Sequence, residues 1–190
     1  MSKGLFLIVT GVSGAGKTTI VDHLLKLEKS ATRFITITTR APRQGEVPDV
    51  DYHFVTREEF AGLRDRSELL EWAEVYGNFY GSSRGELEAL RAKYDVVFSI
   101  VDVQGAKTLK RLVPDATTVF VTAPMEQIRE RVRGRLGVPE AEFEKRIATA
   151  DRENALASTF DFILHSVNGH LEQAILDASY IIFKKRMVRR

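Results

Sequence analysis

The chain has 190 residues, a net charge of +2 from 28 lysines and arginines against 26 aspartates and glutamates, and 44% hydrophobic residues. That suits one domain carrying a lid or small insertion over a core of real size. There is no cysteine, which excludes a disulfide framework, a thiolate metal site and a cysteine nucleophile, and cytoplasm is the expected compartment.

Leu5-Phe6-Leu7-Ile8-Val9 opens the chain as an apolar strand, where a secretory signal would otherwise stand. It runs into Gly11-Val12-Ser13-Gly14-Ala15-Gly16-Lys17-Thr18, a complete G-x-x-x-x-G-K-[ST] loop. Ile20, Val21, Leu24 and Leu25 then recur at helical spacing. Phe34-Ile35-Thr36-Ile37-Thr38 reads as a second, β-branched strand leading into the polar, turn-forming run Thr39 to Glu46. Tyr52-His53-Phe54-Val55 reads as a short strand, and Thr56 with Glu59 as the capping box of a following helix. The stretch 34–84 is rich in short strands, polar residues and aromatics, and is expected to be an inserted substrate lobe.

Core pattern resumes with Val96-Val97-Phe98-Ser99-Ile100-Val101-Asp102, an apolar strand ending in an acid, and again with Thr117 to Thr122. A helix from about Met125 to Leu136 and another from Pro139 to about Ala157 flank Gly137-Val138-Pro139, an arrangement expected of a lid. Phe160 to Leu164 is a last strand and Leu171 to Phe183 a last helix. Strands alternating with helices imply an α/β fold with a parallel core sheet covered on both faces. The tail from Lys184 to Arg190 carries five positive charges, without which the balance would be −3. No aromatics interleave them, so a solvated helix end is expected and no nucleic acid. No apolar run approaches the roughly 20 residues that cross a bilayer, and no membrane partner is expected.

The loop names a ligand. Backbone N–H groups around its glycines cradle a polyphosphate, Lys17 reaches the β and γ oxygens, and the Thr18 hydroxyl ligates Mg²⁺. Gly11, Ser13, Gly14, Ala15, Gly16, Lys17, Thr18 and Thr19 are the residues expected to hold a nucleoside triphosphate. Asp102, at the carboxyl end of a neighbouring strand, is the second expected metal ligand. Arg131 and Arg135 share one helix face and Arg146 follows on the next helix, cations suited to charge that develops as a phosphoryl group moves. Arg40 and Arg43 flank a proline-stiffened turn suited to forking around a second phosphate, with Tyr52 and Tyr80 as phenolic donors.

The phosphate loop, Thr38-Thr39-Arg40-Ala41-Pro42-Arg43-Gln44-Gly45-Glu46, Asp51-Tyr52, Glu71-Trp72-Ala73, Gly77-Asn78-Phe79-Tyr80-Gly81-Ser82 and Asp102-Val103-Gln104-Gly105 resemble, in order and spacing, the pattern of guanylate kinases. The resemblance runs from about Leu5 to the last helix. It implies the three-layer P-loop NTPase fold, divided into a core (1–33, 85–125 and 158–190), a GMP-binding lobe (34–84) and a helical lid (126–157). It also implies Mg²⁺-dependent transfer of the ATP γ-phosphoryl group to GMP, with the two nucleotides as partners and both monomer and homo-oligomer left open. Residues matching Arg40, Arg43, Tyr52 and Tyr80 hold the GMP phosphate in that family, Glu46 orients the arginines, and Glu71 accepts from guanine N1 and N2. Thr36, Ser82 and Asp102 help to seat the base. Lys17, Arg40, Arg135 and Arg146 are the implied catalytic cations, the last two reaching ATP on lid closure.

Four positions depart from the family pattern. Thr36 replaces a usual Ser, Ile100 a usual acid, Leu136 a usual Gly, and His165 stands where an Asn near the adenine is common. Two other readings compete: a non-catalytic guanylate-kinase-like module that binds a protein or phosphopeptide, and a kinase for another phosphorylated acceptor such as a ribose phosphate. The intact Lys17 and Thr18 weigh against the first, and Glu71 with Thr36 against the second.

Overall fold

All seven residues of the first strand, β1 (Leu5–Gly11), are buried, as an apolar run without polar alternation requires when a strand is covered on both faces. The computed structural model describes residues 3–43, 45–75, 77–134 and 139–188. Beyond β1, the first half of the chain forms α1 (Lys17–Leu27), β2 (Ala31–Arg33), β3 (Ile37–Thr38), β4 (His53–Phe54), α2 (Arg57–Asp65), β5 (Leu69–Val75) and β6 (Asn78–Ser83). The rest forms α3 (Arg84–Lys93), β7 (Val96–Ile100), α4 (Val103–Leu112), β8 (Thr117–Thr122), α5 (Met125–Arg133), α6 (Glu140–Asn154), β9 (Phe162–His165) and α7 (Leu171–Val188).

Two sheets divide the work. The core sheet is parallel throughout in the order β2-β7-β1-β8-β9, with helices packed on it. Its strands carry the main apolar cluster, in which Phe6, Ile8, Phe98 and Phe120 are wholly buried. The second sheet runs β4-β3-β6-β5; its β3–β4 pair is parallel and its β3–β6 and β5–β6 pairs antiparallel. It encloses a separate small core of Ile37, Phe60 and Leu69. The Phe60 side chain comes from α2, whose capping box is present as expected: Thr56 Oγ1 accepts the Glu59 N–H at 3.1 Å, and Glu59 accepts the Thr56 N–H at 2.7 Å.

The structure corrects one element. Residues 34–38 do not form a single strand. Phe34 is buried in the main core, donating its N–H to Phe98 O at 2.7 Å and packing edge-on to Phe6. Ile37 is buried in the small core instead. One straight strand cannot serve two cores, so the chain leaves the core sheet at Arg33 and joins the second sheet at Ile37.

A second correction concerns Asp102. The strand expected to end there stops at Ile100, and Asp102 is the N-cap of α4, accepting the Gly105 N–H at 2.7 Å. A carboxylate satisfies an otherwise orphaned helix N–H, which holds it at the strand–helix junction. Among the described residues, no helix is long and apolar enough to cross a membrane.

Candidate active site

The phosphate loop is set by backbone demands. Gly11 takes φ 123°, and a Cβ there would lie 2.0 Å from Val121 O on β8, so only glycine lets β1 turn against its neighbour. Gly16, also left-handed, is the N-cap of α1. No side chain caps this helix and its first turn carries no acid, so its N–H groups are left for an anion. Lys17 curls back along the loop, donating to Gly11 O at 2.6 Å and Val12 O at 3.0 Å. Thr18 and Thr19 are exposed on the same turn, and Ser13 and Gly14 are half-buried, while Ala15 is buried.

Arg131, on α5, fixes the loop from outside. Its guanidinium donates to Gly14 O at 3.2 Å, Ser166 O at 2.9 Å and Asn168 Oδ1 at 2.6 Å. One side chain thus ties the loop to the turn between β9 and α7. Between these elements lies a cavity of about 350 Å³ lined by Gly14, Gly16, Thr19, Arg131, Ser166 and Asn168, among others. His165, one of the departures noted from sequence, ends β9 with its side chain exposed and is not among the lining residues. The sequence placed Arg131 on a lid face; its tethering role depends on Gly14, 117 residues away, and had no local signal.

The second cluster is built on the second sheet. Thr38 Oγ1 donates to Phe79 O at 3.0 Å and Thr39 Oγ1 accepts the Phe79 N–H at 2.9 Å, which pins β3 and the residues after it to β6. Arg40 follows at once. Its Nη2 donates to both Glu46 oxygens at 2.9 Å, and Glu46 also accepts the Arg43 N–H at 2.7 Å. The Arg40 guanidinium stands 5.3 Å from the Tyr52 ring centroid, and the Tyr52 and Tyr80 rings meet edge to face at 6.2 Å. Burial works against the Arg40 charge, but the hydrogen bonds to Glu46 and Tyr80 outweigh it and raise its pKa. Burial likewise opposes the Glu46 charge, yet the Arg43 N–H and Arg40 hold its pKa below the ordinary value. Glu46 therefore holds the Arg40 guanidinium in place, while the Arg43 side chain is exposed.

Glu71 lies half-buried on β5, where the buried Ser82 hydroxyl donates to its Oε1 at 2.7 Å. Burial raises the Glu71 pKa, the Ser82 bond works the other way, and the Asp102 charge adds to the rise. Thr36 is half-buried in the segment that crosses between the sheets, its carbonyl accepting the His53 N–H at 3.0 Å. Asp102 is exposed and joins the two clusters electrostatically: it acts on Glu71 and also on Glu153 of α6. The Glu153 pKa is raised by burial, lowered by Lys17 and raised by Asp102. Glu153 thus belongs to the charge cluster beside Lys17.

Other expected residues lie elsewhere. Arg146 is turned along its own helix, its Nε donating to Glu142 at 3.0 Å. Ile100 is half-buried against the main core and supplies no acid beside Asp102. Arg135 and Leu136 lie outside the described residues.

A parallel sheet with a phosphate loop after its first strand, together with a second cation cluster on a separate sheet, defines a P-loop phosphotransferase. Comparison with known proteins narrows this. A family model described as Guanylate kinase matches residues 3–185. The guanylate kinase of Myxococcus xanthus is 39% identical over all of this chain and 90% of its own length. That of Thiobacillus denitrificans is 42% identical over 93% of this chain and 84% of its own length. A crystal structure of guanylate kinase from Anaplasma phagocytophilum superposes with a TM-score of 0.75 at 30% identity, covering 98% of this chain and 88% of that one. The chain belongs to the guanylate kinase family. A shikimate kinase from Bacteroides thetaiotaomicron, at 17% identity and a TM-score of 0.53, shares the fold.

Proposed function

We propose that this chain transfers the γ-phosphoryl group of ATP to the phosphate of GMP, giving ADP and GDP. The observation that carries the acceptor assignment is the Ser82–Glu71 pair beside the Arg40–Glu46 pair. One presents a carboxylate for the paired N–H donors of guanine, the other a preoriented guanidinium for a phosphate.

The remaining roles follow from position. Gly11, Ser13, Gly14, Ala15, Gly16, Lys17, Thr18 and Thr19 hold the ATP phosphates, and the cavity beside Arg131 receives the rest of that nucleotide. Lys17 exchanges its two loop carbonyls for phosphate oxygens when ATP binds. Arg40, Arg43, Tyr52 and Tyr80 hold the GMP phosphate, with Glu46 as the orienting acid. Glu71, Thr36, Ser82 and Asp102 seat the guanine. Arg135 and Arg146 supply further charge neutralisation on closure, for which Arg146 must leave Glu142. Several fixed cations suffice for such a transfer, because it needs positioning and charge neutralisation more than covalent help. Excluding water on closure prevents loss of the γ-phosphoryl group to hydrolysis.

The donor set fits Mg²⁺. Thr18 offers a hydroxyl and Asp102 a carboxylate whose helix cap uses only Oδ1. Among the described residues no cluster of three or more His, Cys, Asp or Glu side chains forms a protein cage. Mg²⁺ keeps waters and phosphate oxygens in its shell and needs only one or two protein oxygens. When bound, it would neutralise charge on the ATP phosphates.

The test is ADP release from ATP and Mg²⁺ with each nucleoside monophosphate in turn. GMP is expected to dominate. Equal or faster release with AMP, UMP or no second nucleotide would overturn the guanine assignment.

A further inference from the structure

The last helix is apolar on two opposite faces. Ala174, Ile175, Ala178, Ile181 and Ile182 of α7 are buried against the core. On the other side Leu176, Tyr180, Phe183 and Met187 are 63%, 64%, 59% and 56% exposed. They recur at intervals of four, three and four residues, the spacing of a helix–helix seam. An amphipathic surface helix shows polar residues on its outer face; α7 shows a stripe about 17 Å long at 1.5 Å per residue.

The stripe is large by the standard of a monomer. Taking about 200 Å² for a large side chain, the four residues expose on the order of 500 Å². Monomeric proteins seldom leave contiguous apolar patches above a few hundred Å², and a standard interface buries about 800 Å² per partner.

The charges beside the stripe say what covers it. Asp177 and Glu172 stand exposed along its N-terminal half, and Lys184 stands exposed along its C-terminal half. Asp177 already accepts from Gln173 at 2.8 Å, which holds its carboxylate on that edge. Lys185 and Arg186 are engaged within the chain, the first over the Phe162 ring and the second with Glu28.

We infer that α7 is a self-association helix, packing antiparallel on the α7 of a second copy about a two-fold axis. In that arrangement Leu176 meets the partner's Met187, Tyr180 meets the partner's Phe183, and Asp177 lies beside the partner's Lys184. The contact is isologous, so each favourable pair forms twice. A parallel arrangement would turn the edge that carries Asp177 and Lys184 towards the opposite edge of the partner's helix, so neither charge would meet its complement. The surface is separate from the nucleotide sites and does not depend on the proposed reaction.

Sedimentation velocity and light scattering of the full chain across the micromolar range test this. The wild type is expected to be a dimer. Asp177→Lys and Lys184→Asp are each expected to weaken association about tenfold or more, and the double variant D177K/K184D to regain most of it, since the swap restores complementary pairs. A monomeric wild type, a single variant that associates as tightly as wild type, or a double variant no tighter than the singles would each overturn the inference. So would a monomeric wild type that co-sediments with phosphatidylcholine–phosphatidylserine vesicles, because the stripe would then be a membrane-facing surface.

Discussion

Glu71 shows how one side chain carries a conflict between stability and recognition. Burial first, and the Asp102 charge with it, raise its pKa, while the Ser82 hydroxyl partly offsets them. A proton therefore binds Glu71 more tightly in the folded chain than in the unfolded one. Its ionised form opposes folding above the ordinary carboxylate value, and that opposition fades as pH falls through the raised value. Guanine recognition has the opposite need, since only the ionised carboxylate offers two acceptors to N1–H and N2–H. In a pH profile, kcat/KM for GMP is expected to fall on the acid side, with its midpoint raised from the ordinary carboxylate value. Glu71→Gln should remove that limb, lower kcat/KM for GMP by about 10–100-fold, and raise the melting temperature of the nucleotide-free protein at neutral pH. An unchanged kcat/KM in this variant would show that Glu71 does not contact the base.

At the scale of elements, Arg131 joins three that are far apart in sequence: α5, the phosphate loop and the turn after β9. The planar guanidinium spans Gly14 O, Ser166 O and Asn168 Oδ1, a fork that an ammonium group cannot reproduce. Arg131→Lys is expected to raise the KM for ATP about tenfold and leave that for GMP unchanged; equal changes in both would mean the tether supports the whole fold instead. Such a contact is invisible in the sequence, which reports neighbours along a helix and not a carbonyl across the molecule. What was legible is what local rules determine. β1 and α1 follow from an apolar run, a glycine loop and a 3.6-residue period, and α2 from the Thr56–Glu59 box. β5, β6, α3 and α4 were not individually legible. Glu71, Tyr80 and Ser82 occupy strand positions for chemistry, which breaks the alternation that marks a strand. Asp102 reads as a metal ligand and also caps α4, while Ser83, which caps α3, stands inside the run read as a substrate lobe. The stretch 34–38 misled because β-branched residues favour a strand wherever they stand, whereas two separate cores decided its path.

Over the whole molecule, stability is divided as the cores are. β1, β7 and β8 lie within the large cluster, whereas β3, β5 and β6 rest mainly on a small one built on Ile37, Phe60 and Leu69, with Leu70 of β5 reaching into the large one. Local opening requires less free energy where fewer apolar contacts are lost. In the nucleotide-free protein, amides of β3, β5 and β6 are therefore expected to exchange with solvent faster than those of β1, β7 and β8. Under the proposed assignment GMP contacts Arg40, Tyr80 and Glu71 from the second sheet and Asp102 from the core, so it links the weaker unit to the stronger. At 100 times its Kd it adds about 2.7 kcal/mol to the bound state, and the slowing of exchange should concentrate in β3, β5 and β6. AMP at the same concentration lacks the guanine donors that Glu71 accepts and should slow these strands far less. Hydrogen exchange read by mass spectrometry separates the cases: uniform protection across both sheets before GMP is added would contradict the two-core division, and equal protection by AMP and GMP would contradict the base contact.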